Sequence, residues 1–467
     1  MDRFDTGRPV AVGAARGGLV TTTTEQVLDR YARQFARFET APPRGRDGWL
    51  TPLRKAAFAH FAELGFPTTR EEAWRFTNVA PLAGTEFVGP ERDEASVSSR
   101  DVRRFCLGTD AEVLLVFVNG SFAPTLSRMT NLPAGVRVAS LAAVLADSPA
   151  ALREHLGRHA AYQTDAFTAL NTAFFEDGAF VWIPRGMVVN APLHLLYVSV
   201  SETQPTLMHP RNLIVADENS QFQIVEQYVA LGDGIYFNNA VTELVAGENV
   251  VAQHCKVVRE SDAAYHVGTV QLHQGRASRV VSHGVLLGGA LVRHNINPVL
   301  DGEGANSELH GLYLLTGTQH ADNHLRVEHR RPRTSSHEYF RGILDGRSHG
   351  VFSGRIVVYP EAQKTDAKQT NMNLLLSEGA QVHSHPQLEI RADDVKCTHG
   401  STTGQVDDDA MFYLRSRGVP ADAARSLLIY AFARESLDRV PIEPLRRPLT
   451  ELVLARLPHG ELLRETA

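Results

Sequence analysis

The chain has 467 residues, 43% hydrophobic and 21% charged, which is enough apolar material for a packed core and excludes a disordered polymer. Its 47 basic and 53 acidic residues give a net charge of −6, so there is no basic footprint for nucleic acid or an anionic membrane. Three scattered cysteines, Cys106, Cys255 and Cys397, exclude a disulfide framework and a paired-cysteine zinc site, and point to a reducing compartment.

At roughly 150 residues per domain the length suggests about three domains or one long repetitive one. Residues 1–20 carry Asp2, Asp5 and several arginines and lack the apolar run of a secretory signal. No stretch approaches the ~18 uncharged apolar residues of a membrane span, so the expectation is a soluble, cytoplasmic protein.

The first hundred residues read as helical. Leu28, Tyr31, Phe35 and Phe38 recur at helical spacing behind Thr21, Thr22, Thr23 and Thr24, which can supply an N-cap. Thr51-Pro52 opens a second helix that closes at Gly65, and Glu71, Glu72, Trp74 and Arg75 form a short amphipathic piece. Residues 84–100 are rich in Glu, Ser and Gly and read as a linker or exposed loop.

Residues 112–120 read as a strand ending in a turn, and residues 141–173 as alanine-rich helical pieces. From 179 to about 395 the chain is a series of short β-branched runs separated by Gly, Asn and Asp. These runs repeat loosely. Ser282-His-Gly-Val-Leu-Leu-Gly288 is echoed at Leu309-His-Gly-Leu-Tyr-Leu-Leu315 and at Phe340-Arg-Gly-Ile-Leu-Asp-Gly346, which would align Gly284, Gly311 and Gly342. Similar turns, Gln274-Gly-Arg-Ala-Ser278 and Gly302-Glu-Gly-Ala-Asn306, precede the first two. A period in the high twenties fits a β-solenoid, whose coils stack because none buries its own face; a β-sandwich or a pair of barrels is the alternative.

Helices return after Asp407. One runs to Gly418, one opens at Pro420 with Ala423, Leu427, Leu428 and Phe432 on one side, and residues 444–457 carry a stripe of Leu449, Leu452, Val453 and Leu457.

Signatures of catalysis are missing. Gln363-Lys364-Thr365 lacks the glycine cradle of a P-loop, Gly302-Glu-Gly304 lacks the context of a dinucleotide site, and there is no Gly-x-Ser-x-Gly elbow. His320 and His324 share a face, joined by Asp322 only in extended backbone; hydrogen bonding between stacked coils accounts for them more simply than a metal does. His383 and His385 precede a proline and read as a loop or edge position. The informative segment is Asp393-Asp-Val-Lys-Cys-Thr-His-Gly400. In extended chain Cys397 and His399 point to one face and Lys396 to the other. Thiolate and imidazole suit iron–sulfur chemistry, with Lys396 expected to lower the thiol pKa. Two donors cannot complete a first shell of about four, so a partner chain or exogenous thiols would have to finish it. The plainer alternative is an inert cysteine beside a hydrogen-bonded histidine.

Gly354-Arg-Ile-Val-Val358, Ala362-Gln-Lys-Thr-Asp-Ala367, Gln369-Thr-Asn-Met-Asn-Leu-Leu-Leu-Ser377, Pro386-Gln-Leu-Glu-Ile390, Ala392-Asp-Asp-Val-Lys-Cys-Thr-His-Gly400 and Phe412-Tyr-Leu-Arg-Ser-Arg-Gly418 occur in an order that resembles the SufB/SufD family of the SUF iron–sulfur cluster assembly machinery. The resemblance is dense from about Phe174 to Phe432 and thinner at Pro67, Arg70, Glu72, Trp74 and Thr77. The chain resembles the SufD branch: SufB proteins carry a His-Glu-Ala step where this chain has Cys397-Thr-His-Gly400.

The resemblance implies a right-handed parallel β-helix flanked by N- and C-terminal helical domains, divided as 1–105, 106–406 (with a helical insert at about 141–173) and 407–467. It implies a scaffold without catalytic residues that pairs with SufB through the β-helix and docks a SufC ATPase through its C-terminal helices, where Leu427, Leu428, Phe432 and Leu452 are the candidate contacts. It also implies a transient iron–sulfur cluster at the SufB interface, with His399 and Cys397 as candidate ligands and none stably bound by this chain alone. A homodimer in isolation stays open. The rival readings are a SufB-like cluster-bearing subunit, for which Cys255 beside His254 would be the marker, and a polysaccharide-active β-helix enzyme, for which neither an export signal nor an acidic array is visible.

Overall fold

A computed structural model describes residues 24–40, 48–90, 94–107, 112–200 and 203–463. The expectations for residues 1–20 and for Thr21, Thr22 and Thr23 lie outside them. The middle of the chain winds between two sheets, each coil giving one strand to each. The first sheet stacks Val113–Val118, Leu193–Val200, Gln221–Leu231, Val251–Arg259, Arg279–Leu286, Asn306–Leu315, Ser335–Leu344, Asp366–Leu375 and Lys396–Gly404, all parallel. The second stacks Ala179–Ile183, Arg211–Ala216, Tyr236–Ala246, Tyr265–Gln274, Leu291–Leu300, His320–His329, His349–Val358 and Gln381–Ile390, also parallel. This is the expected β-helix. Alternate residues fill its lumen, among them Ile224, Val280, Leu309 and Phe340 from the first sheet and Ile296, Leu325 and Ile356 from the second.

One corner of six successive coils is fixed by a residue in the left-handed conformation, two positions before a strand of the first sheet. Asn219, Asn249, Ala277, Gly304, Arg333 and Lys364 form this column, each with positive φ. Each donates its N–H to the corner of the next coil, at Glu248, Arg276, Glu303, Pro332, Gln363 and Asp394 respectively. The turns resembling each other in the sequence are two members of this series. Lys364 of the failed P-loop motif is the last member, which gives Gln363-Lys364-Thr365 a structural assignment.

The glycine alignment holds for one step and fails at the next. Gly284 pairs with Gly311, 27 residues on, but Gly311 pairs with Phe340 and Gly342 with Tyr313. A Cβ on Gly311 would lie 2.3 Å from the Phe340 ring, and one on Gly342 would lie 2.3 Å from the Tyr313 ring. Both glycines therefore make room for an aromatic ring of the adjacent coil, so they mark where rings cross the lumen and not a common phase of the repeat.

Helices cover both outer faces. Thr24–Thr40, Leu50–Leu64 and Ala166–Phe174 bury Val27, Tyr31, Phe61, Phe167 and Leu170 with Phe237, Val267 and Leu291 of the second sheet. Asp322 accepts from Thr77 (2.6 Å) and pairs with Arg293, whose guanidinium lies 3.7 Å from the Trp74 ring centre. The His320–Asp322–His324 strand thus ties the N-terminal segment to the sheet. The described parts of 84–100 are tied down: Phe87 is buried, Val88 bridges to Thr206, and Ser98 with Asp101 forms a capping box for helix Ser99–Phe105.

On the first sheet, helices Ala421–Leu437 and Glu443–Leu454 cover Val225, Cys255, Val285, Leu312 and Ile343. The buried side of Ala421–Leu437 is Ala424, Ser426, Ile429, Ala433, Ser436 and Leu437, not the predicted Ala423, Leu427, Leu428 and Phe432. That helix is apolar nearly all round, so leucine position could not choose the face. Small residues choose it, since they let the backbone approach closely enough for the Ser436 hydroxyl to donate to the Gly311 carbonyl at 3.2 Å.

The corner column predicts opposite effects of two similar changes. Ala277→Gly removes the Cβ strain of a left-handed residue and raises thermal stability by about 1 kcal/mol, whereas Gly304→Ala, with open space around it, lowers stability by a similar amount. Gly302→Ala, whose Cβ would sit 2.0 Å from the Arg276 nitrogen, should lower the unfolding temperature far more than Gly304→Ala. Equal behaviour of the three would contradict the register.

Candidate functional site

The two ends of the β-helix differ. At its start, antiparallel partners flank the sheets: Ser121–Phe122 and Arg128–Met129 pair with Val113–Val118, and Arg137–Ser140 pairs with Ala179–Ile183. At its end, Gln381–Ile390 and Lys396–Gly404 pair with the preceding coil on one side, and no strand among the described residues pairs with the other. Pro386 lies within Gln381–Ile390, the edge strand of the second sheet, a position that tolerates proline. His383 stacks on Phe76 with ring centres 4.2 Å apart, and His385 lies near Gln387, so this pair is on the edge strand but engaged locally.

Lys396–Gly404 carries the predicted pair. Cys397 stands on Ala367 and His399 on Gln369. Cys397 packs, half-buried, against the luminal cluster, so by strand alternation His399 is on the same luminal side at the open mouth, where it is exposed. The expected depression of the Cys397 pKa by Lys396 is overturned. Burial raises it, the Asp366 and Glu338 carboxylates add to the effect, and a backbone hydrogen bond at Ala367 offsets it only in part. Lys396 is exposed on the opposite face and cannot compensate.

Beneath His399 the luminal column continues through Gln369, Glu338, Leu309, Ser282, His254 and Ile224. His254 lies between Ser282 (2.9 Å) and Glu226 (3.3 Å). Glu338 is 1% exposed and its pKa is pushed up to about 8 by burial, so the carboxyl is neutral at pH 7. Sequence reasoning passed over Glu338 and Gln369, because an isolated Glu in a strand carries no signal until register places it in a lumen.

The other candidates separate. Cys255 is fully buried on the outer face of the first sheet, under the C-terminal helices, and burial pushes its pKa up to about 12. That is an inert packing thiol. Phe432 is half-buried beneath the Arg341 guanidinium (4.3 Å), to which its carbonyl accepts a hydrogen bond, and Leu452 is half-buried in the same cluster. Leu428 is half-buried and Leu427 is exposed. Helix Asp408–Ser416 buries no residue, and its Phe412 (74% exposed) and Tyr413 (58%) are the largest apolar groups in this region open to solvent.

No group of three or more His, Cys, Asp or Glu side chains among the described residues is placed to hold a metal. Cys397 and His399 therefore offer two donors on one open edge. A polar cleft of about 600 Å³ lies between Glu72–Trp74 and the outer face of the second sheet, but Arg326 and Arg330 pair with Glu328 and Arg355 with Glu72, so its charges are matched internally. No helix among the described residues is long and apolar enough to cross a membrane.

Comparison with known proteins matches this architecture in two blocks. Residues 198–432 match the SufBD core domain of the SUF iron–sulfur cluster assembly system, and residues 25–195 match the SufBD N-terminal region. The chain belongs to the SufBD family. It is 36% identical over 421 residues to an iron–sulfur cluster assembly SufBD family protein of Synechocystis, covering 88% of this chain and 92% of that one. It is 32% identical over 412 residues to the iron–sulfur cluster assembly protein SufD of Escherichia coli (88% and 94%), and 25% identical over 451 residues to SufD of Bacillus subtilis (93% and 99%). It is accordingly a SufD-like iron–sulfur cluster assembly protein, and the open coil is the end of a SufBD core.

Burial of Glu338 has a measurable consequence for this SufBD core. Below pH ~4 both folded and unfolded chains hold the proton, and the folded state's advantage is intact. Between the ordinary glutamate value and about 8 only the folded chain keeps it, so stability falls as pH rises, by up to about 1.4 kcal/mol per pH unit. Glu338→Gln should remove this loss: from pH 5 to pH 8 the variant's unfolding temperature gains on the wild type's. Parallel curves would mean that Glu338 is ionised in the folded chain.

Proposed function

We propose that this chain is a non-catalytic scaffold of a cytoplasmic SUF complex, pairing with a SufB subunit through the open end of its β-helix and docking a SufC ATPase through its C-terminal helices. The observation that carries the reading is the unfinished last coil. Two strands of 10 and 9 residues expose their hydrogen-bonding edge with a thiol and an imidazole at the mouth of the lumen. Such an edge is an aggregation liability unless another chain covers it, and an incomplete ligand set is of use only where a second chain completes it.

At that interface His399 supplies a neutral imidazole to iron and Cys397 a thiolate. The raised Cys397 pKa fits a thiol that stays protonated until a metal displaces the proton. The iron–sulfur cluster is cargo, assembled between subunits and released. Closure of two SufC subunits on ATP is transmitted through the helices after Asp407, which rest directly on the first sheet by way of Arg341–Glu435 and Ser436. Phe412, Tyr413 and Leu427 are the SufC-facing candidates, while Leu428, Phe432 and Leu452 serve mainly to seat the helices on the core. Neither nucleic acid nor a membrane is a partner. Burial of Cys255 weighs against the SufB-like alternative.

Tagged and co-expressed with SufB- and SufC-type partners, the chain should be recovered with one SufB and two SufC, measured by native mass. His399→Ala should leave that complex intact but reduce activation of an iron–sulfur enzyme in cells by about tenfold or more; normal activation removes the ligand role. Phe412→Asp combined with Leu427→Asp should lose SufC while retaining SufB. SufC bound as in the wild type would place its site elsewhere.

A further inference from the structure

Two polar side chains in the lumen directly beneath His399 are sealed in with their hydrogen-bonding capacity largely unused. Gln369 is 1% exposed, and neither its amide oxygen nor its amide nitrogen completes a hydrogen bond in full geometry, the nearest polar side chain below being Glu338. Glu338, the next residue down the column, has neither carboxyl oxygen in full hydrogen-bonding geometry, although the Ser336 and Gln369 side chains lie close enough to offset part of the effect of burial on its pKa. Space for the Gln369 amide is built in from the facing sheet: Gly354 lies opposite, and a Cβ there would stand 2.1 Å from Gln369 Nε2. Unpaired buried amides are rare because each forfeits its hydrogen bonds to water. This one belongs to the residue a single strand spacing, about 4.8 Å, below His399 in the register.

A histidine that gives one nitrogen to a metal carries its proton on the other. That N–H needs an acceptor, which fixes both tautomer and ring orientation. The Gln369 carbonyl oxygen is the buried acceptor available in this column. Its NH₂ group then points down toward Glu338, whose carboxyl can accept. The Gln369 oxygen gains a donor, and its contact with Glu338 tightens, once a covering chain presses the exposed ring of His399 into the mouth of the lumen.

We propose that Gln369 is a positioning residue for His399, its Oε1 accepting the imidazole N–H while its Nε2–H is held by Glu338, so that the other ring nitrogen faces the interface. This rests on the reading of His399 as an iron ligand, and the experiment separates the two.

The full chain, alone and co-purified with its SufB-type partner, is labelled with ring-¹⁵N histidine. The tautomer of His399 is read at one pH above the imidazole range, its signal assigned by loss in His399→Gln. Gln369→Met keeps the volume and removes the acceptor, whereas Gln369→Glu keeps an acceptor oxygen. The expected result is one tautomer in the wild type and in Gln369→Glu, a mixture in Gln369→Met, and activation of an iron–sulfur enzyme lowered about tenfold in Gln369→Met alone. Glu338→Met, one coil deeper, should loosen the tautomer in the same way and serves if Gln369→Met does not fold. An unchanged tautomer in the variant that folds overturns the proposal. So does a changed tautomer with normal activation, provided that His399→Ala abolishes activation. If His399→Ala also activates normally, the contact stands and the ligand role assigned to His399 fails.

Discussion

The structure depends on a column of corners. Six coils turn on residues held at positive φ, and each corner N–H is bonded to the carbonyl of the coil above. A left-handed backbone costs about 1–2 kcal/mol for a residue with a Cβ, yet alanine, arginine and lysine occupy it here beside asparagine and glycine. The stacking enforces it. Once one coil turns there, the next must turn above it or lose its hydrogen bond and its strand register together. Register in turn decides which side chains enter the lumen, because a slip of one residue exchanges the two faces of a strand.

With register fixed, the lumen is a set of vertical columns whose chemistry changes along the axis. The column ending in His399 runs from Ile224 through the hydrogen-bonded His254–Ser282 step to Leu309, and is polar again at Glu338 and Gln369. Its neighbours handle bulk by exchange, Gly311 beneath Phe340 and Gly342 above Tyr313. The outer faces are closed by helices, one layer tied through Asp322, Arg293 and Trp74 and the other through Ser436 and Arg341. What is left uncovered is the last coil. The hydrogen-bonding logic that stabilises every inner coil therefore makes the final one a template for another chain.

The site follows from that geometry. Cys397 and His399 are two positions apart on a strand and face one way, which any extended segment would achieve. Their surroundings come from other coils: Ala367 beneath the thiol, Gln369 beneath the imidazole, and the Asp366 carboxylate, which acts with burial to raise the thiol pKa, joined by Glu338 once that group ionises. Lys396, adjacent in sequence, contributes nothing comparable because alternation turns it to solvent.

The residues alone determined a good deal. Their β-branched runs and recurrent turns pointed to the solenoid, helical spacing marked Tyr31 and Phe35 as core, and the ordered motifs from Gly354 to Gly418 carried the family and with it the β-helix. These are local or near-local signals, set by the periods of strand and helix. Tertiary structure decided what depends on neighbours about thirty residues away: that Gly342 answers Tyr313 and not Gly311, that helix Ala421–Leu437 presents Ile429 and Ala433 to the sheet and Leu427 to water, and that Glu338 and Gln369 lie under His399. In a solenoid every side chain's environment is written by the coils above and below it, and coil lengths that vary between 26 and 33 residues hide that register from the sequence.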